Sequence, residues 1–134
     1  MKNAEAASAA ELAALEAGAV DPGAFTHRDH VRFAYGMLER YPFGEAVTRF
    51  SRGLKLLAMK AGRPDVYHET ITVAFLALIN ERRARTGEAE GWGLFKAKND
   101  DLFDKRCLEE WYDAEQLASD LARRTFCLPS RKAI

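Results

Sequence analysis

The sequence predicts an all-α protein, a single compact and irregular bundle of about five or six helices. Apolar residues recur at three- and four-residue spacings along most of the chain, with no alternation long enough for a strand and no internal repeat. Asp21-Pro22-Gly23, Pro42-Phe43-Gly44, Gly62-Arg63-Pro64 and the stretch from Gly87 to Gly91 separate the helical segments with turn-forming residues. At 134 residues, 48% apolar and 30% charged, the chain has the length and balance of one domain and can bury roughly two-thirds of its unfolded surface.

Ala4 to Ala17 is rich in Ala, Glu and Leu, all strong helix formers, and Gly18 is a natural stop. Leu12 and Leu15 are its only large anchors, so residues 1–20 are expected to dock weakly. Thr26, with Asp29 three residues on, forms a near capping box that starts a second helix at about His27 and carries it to Glu39. Its core face is Val31, Ala34, Leu38 and Tyr41. The third helix takes Glu45 to Ala61, with Val47, Phe50, Leu54, Leu57 and Ala61 inward and Arg49, Arg52, Lys55 and Lys60 outward.

A fourth helix, from about Tyr67 to Arg85, carries Ile71, Phe75, Leu78, Ile79 and Arg82 on its stripe. Val73, Ala74 and Leu76 make it apolar around much of its circumference, as a central bundle helix is. Trp92, Leu94, Phe95, Leu102 and Phe103 suit a short helix and a following turn. From Lys105 to Phe126 one or two short helices are expected, with Cys107, Leu108, Trp111, Leu117, Leu121 and Phe126 turned inward. Residues 130–134 are read as a flexible tail of the single domain 1–134.

Lys plus Arg equals Asp plus Glu at 20 each, so no excess of positive charge draws the chain to nucleic acid or an anionic membrane. No apolar run approaches the roughly 20 residues that span a bilayer, and Glu5, Glu11 and Glu16 interrupt any signal-peptide segment. Cys107 and Cys127 have neither C-x-x-C nor zinc-knuckle spacing, and are expected to be free thiols in a reducing, cytoplasmic setting. The expected partner is a small molecule, and self-association stays open.

Three histidines stand out. His27 and His30 are three residues apart in the first turn of the second helix, and both border its apolar face. His68 lies at the start of the fourth helix, in line with Ile71, Phe75 and Ile79. In an up-and-down bundle the second and fourth helices run the same way, which brings their N-terminal ends to one end of the domain. Asp29, Tyr35, Tyr67, Glu69, Thr70 and Thr72 lie nearby in sequence as further ligands or orienting groups.

Two chemistries suit this set. Helix N-termini with free N–H groups, together with the imidazoles and Arg28 or Arg63, would hold a small anionic ligand. In that reading His30, His68 and Glu69 supply acid–base chemistry, while His27, Asp29, Tyr35, Tyr67 and Thr72 bind the ligand. Alternatively His27, His30, His68 and Glu69 would ligate Zn, Fe or Mn in a metal-dependent enzyme, although positive helix ends disfavour a nearby cation. A third possibility, a structural or interaction module, leaves each histidine bonded within its own helix start. No nucleophile elbow, Gly-rich phosphate loop or H-E-x-x-H motif occurs, and neither cysteine has a local histidine.

The blocks FTHRDHVRFAY, VYHETITVAFLALINER and CLEEWYDAEQLASDLARRTFCLP, about half the chain, resemble those of a family of small, uncharacterised bacterial helical proteins. The resemblance implies that His27, Asp29, His30, His68 and Glu69 belong together. It implies no reaction.

Overall fold

The computed structural model describes residues 5–131, and all regular structure among them is helical. Helix α1 spans Ala9–Glu16. Its start is fixed by a capping box: the Ser8 hydroxyl accepts from the Glu11 amide, and the Glu11 carboxylate accepts from the Ser8 amide. Because Ser8 satisfies those orphan donors, residues 5–7 stay outside the helix; the expected first residue, Ala4, lies outside the described residues. The other end closes on Gly18 at φ 70°, where the Ala19 amide donates to Ala14 O, a Schellman closure that only glycine adopts without strain.

Helices α2 (His27–Arg40), α3 (Phe43–Lys60) and α4 (Glu69–Thr86) pack against one another and form the centre of the bundle. Their bounds follow the sequence reading to within two residues. Thr26 and Asp29 complete the expected capping box, and His68 takes the cap position of α4 instead of lying inside the helix. Met37, Phe50, Leu76 and Ile79 are fully buried where the three helices meet.

Helix α1 lies across α2 and α3. Leu12 and Leu15 are both buried, and two glycines admit them. A Cβ on Gly53 of α3 would stand 2.7 Å from Leu15 Cγ, and one on Gly36 of α2 would stand 3.2 Å from Ala7 Cβ. The docking surface that alanine content alone made look weak is thus supplied by the partners' missing side chains.

After α4 come α5 (Gly91–Lys98), 3-10 turns at Asp100–Phe103 and Cys107–Glu110, and two short helices, α6 (Ala114–Leu117) and α7 (Asp120–Arg124). One contiguous hydrophobic cluster runs from Ala7 to Tyr112. The sequence placed Leu121 and Phe126 inside it, but they are 57% and 42% exposed. The inward position of the five-residue α7 is held by Ala122, about 100° around the helix from Leu121.

The segment after α7 is held by polar bonds instead. The Thr70 hydroxyl donates to Thr125 O and accepts from the Cys127 amide, and Tyr112 donates to Cys127 O. The Ser130 amide donates to Gln116, and the Arg131 amide to Trp111 O. Of the expected flexible tail, Ser130 and Arg131 are therefore tied down, and residues 132–134 lie outside the described residues. Among the described residues, no helix is long and apolar enough to cross a membrane.

Candidate functional site

Where the first turns of α2 and α4 meet the last turns of α3, the chain leaves a cavity of about 340 Å³. Leu54, Leu57 and Ala58 wall it from α3, Ile71 from α4, and His30, Tyr67, His68 and Thr72 supply its polar edges. That His30 and His68 share one cavity shows that the N-terminal ends of α2 and α4 lie together, as the up-and-down arrangement requires. Among the described residues no Lys or Arg lines it; Arg28 and Arg63 lie elsewhere.

The three imidazoles differ in their partners. His68 Nδ1 accepts from the Ile71 amide at 3.1 Å and so caps α4, while Nε2 stands 2.7 Å from Leu117 O. A carbonyl can only accept, so the proton sits on Nε2 and both nitrogens are used. His27 similarly directs Nε2 at Leu102 O, 2.9 Å away, and its ring meets Phe75 edge-on. His30 is packed among Phe25, Phe50 and His27, and its ring nitrogens have no hydrogen-bond partner among the described residues. Burial, reinforced by the neighbouring His27, holds the His30 imidazole down to about 4, so it is neutral at pH 7.

Tyr67 and Thr72 have committed protons. The Tyr67 phenol donates to Glu69 Oε1 at 2.6 Å, and burial together with that bond pushes its ionisation well above the usual phenolic range. The Thr72 hydroxyl donates to His68 O at 2.7 Å. Glu69 thus orients Tyr67.

Other residues assigned to the site by sequence go elsewhere. Tyr35 is five positions beyond His30, about 140° around α2, and is buried against Trp92 and Phe95 with the Arg83 guanidinium over its ring. Asp29 caps α2 through Thr26 and lies 3.6 Å from Arg32, on a separate concavity with Glu11. His27, His30, His68 and Glu69 do not converge, and the described residues contain no group of three or more His, Cys, Asp or Glu side chains arranged to hold a metal. The chelate expected from residue types fails because two of the imidazoles spend their nitrogens on backbone carbonyls. Cys107 and Cys127 are free thiols, and burial pushes the Cys107 thiol up to about 11, far from a reactive thiolate.

What the sequence reading missed is the wall and the buried cation. Leu54, Leu57 and Ala61 were legible as a core stripe, but only the tertiary arrangement of α2, α3 and α4 turns part of that stripe into a cavity wall. Arg32 is 3% exposed, an unusual place for a guanidinium, and its signal was the Asp29–Arg32 spacing on α2 together with Glu11 on α1. In comparisons with family models, curated proteins and solved structures, nothing matches this chain.

Proposed function

We propose that this protein binds a small, largely apolar molecule in the cavity between α2, α3 and α4. The observation that carries the reading is the His30 imidazole, a polar group on the wall of an otherwise mainly apolar cavity with no partner for its nitrogens among the described residues. His30 is half-buried, so its nitrogens meet solvent or whatever occupies the cavity, and a polar group at the edge of a ligand-sized apolar space is the usual anchor for a small molecule. The cavity's 340 Å³ lies near the lower end of ligand pockets, which favours a molecule of about one ring over a nucleotide-sized cofactor.

Binding is supported ahead of catalysis. His68 cannot exchange a proton without breaking the cap of α4 or its tie to Leu117, and Glu69 is engaged by Tyr67. His30, held to about 4, is too weak a base to do effective proton transfer at neutral pH.

Ala61, exposed at the end of α3, lines the cavity, so Ala61→Trp puts an indole across it without touching the core. A panel of single-ring compounds, followed through the histidine imidazole NMR signals, should show saturable binding that perturbs His30 most and is lost in Ala61→Trp. Binding that survives this substitution unchanged rules out the cavity as the site.

A further inference from the structure

We infer that the cavity selects neutral, hydroxyl-bearing ring compounds over carboxylates. This rests on the cavity being a ligand site, and deepens that reading by naming the ligand's polar group. Tyr67 has given its proton to Glu69, Thr72 has given its proton to His68 O, and His68 has given Nε2–H to Leu117 O. Each hydroxyl keeps oxygen lone pairs; those of Tyr67 are shared with the neighbouring Ser51 and Thr72 hydroxyls, and what remains on Tyr67 and Thr72 acts towards a ligand as acceptor. His68 offers only its ring face. His30, neutral and unpartnered, has one N–H and one lone pair.

Among the described residues the lining therefore offers one donor and several acceptors, and no cation. A carboxylate brings about four lone-pair sites and no proton. It would find a single N–H, face the lone pairs of Tyr67 and Thr72, and lose its hydration with little in return. A hydroxyl has one proton and two lone pairs. It can accept from the His30 N–H and donate to Thr72 or Tyr67, or instead donate to the other His30 nitrogen, so its proton finds an acceptor in either case. An apolar ring fills the space against Leu54, Leu57, Ala58 and Ile71. The positive ends of α2 and α4, which suggested an anion, are already answered in part, since the caps Thr26 and His68 take the Asp29 and Ile71 amide protons.

The test is a titration of the full chain at pH 7 with phenol, benzoate and toluene, which share a ring and differ in the polar group. Binding is read from the His30 imidazole signals and from the melting temperature. Phenol should bind at least about tenfold more tightly than benzoate and more tightly than toluene, the usual scale for one satisfied against one unsatisfied polar group. In His30→Phe, phenol's advantage over toluene should disappear. Thr72→Val, which keeps the shape and removes an acceptor, should reduce that advantage, so the inference stays testable if His30→Phe folds poorly. Benzoate binding as tightly as phenol, or more tightly, overturns the inference and leaves the ligand site standing. No saturable binding by any of the three overturns both.

Discussion

A guanidinium on α2 is buried almost completely, and the carboxylate that answers it comes from α1. Glu11 meets Arg32 with two hydrogen bonds, at 3.0 and 2.7 Å, while Asp29 stands 3.6 Å away and the Phe33 ring lies beneath the guanidinium. The same Glu11 also accepts from the Ser8 amide, so one carboxylate both starts α1 and neutralises the charge under it. The Arg32 hydrogen bonds, foremost, hold the Glu11 carboxyl down to about 2. Removing one partner of such a pair strands the other, so Glu11→Gln should cost about 2 to 3 kcal/mol, measured by urea unfolding. A loss under about 0.5 kcal/mol would mean that Asp29 suffices for Arg32. The sequence held half of this: the Thr26–Asp29 cap was legible, whereas the burial of Arg32 depends on α1 crossing α2, which no local pattern specifies.

Two elements owe their placement to single residues that composition undervalues. His68 ends the approach to α4, accepting from Ile71 with one nitrogen and donating to Leu117, 49 positions away, with the other. His68→Ala removes both bonds and should cost about 1 to 3 kcal/mol, whereas His68→Asn restores the cap and should recover about 1 kcal/mol of it. Thermal or urea unfolding of the two variants checks this; equal losses would show that only the Leu117 tie matters. On α3, two glycines make opposite predictions. Gly53→Ala drives a methyl into Leu15 and should cost about 1 to 3 kcal/mol despite alanine's better helix propensity. Gly44→Ala, with no neighbour within 4 Å, should gain up to about 0.5 kcal/mol in the first turn of the same helix. The helices themselves were readable because their caps and stripes are local. Their fit was less so: Gly53 reads as an irregularity until Leu15 is placed over it, and the segment after α7 is fixed by Thr70 and Tyr112, whose partners lie 55 and 15 residues distant.

At the scale of the whole molecule, the end of the bundle that gathers His30 and His68 was legible from helix order alone, since α2 and α4 must run together when α3 lies between them. What could not be read was which imidazoles would be spent on backbone carbonyls, because Leu102 and Leu117 come from the irregular last third of the chain. The one imidazole left over gives the protein a distinct response to acid. His30 titrates near its ordinary value of 6.5 when unfolded and at about 4 when folded, so between these limits the unfolded chain binds more protons, and stability falls as pH falls through that window. The expected loss is about 3 kcal/mol, complete near pH 4. Glu11, lowered from 4.5 to about 2, acts in the same direction over a more acid window, because its ion pair is intact above pH 4.5 and is lost as pH falls towards 2. Urea unfolding at intervals from pH 7.5 to 3 should therefore show two successive declines. His30→Phe removes the first and leaves the second; Glu11→Gln keeps the first and shrinks the second to what carboxylates such as Asp101, held low by Arg82, contribute. A wild-type stability flat from pH 7 to 5 would mean that the His30 imidazole accepts its proton as readily folded as unfolded, and that it is not the neutral group on which the ligand reading depends.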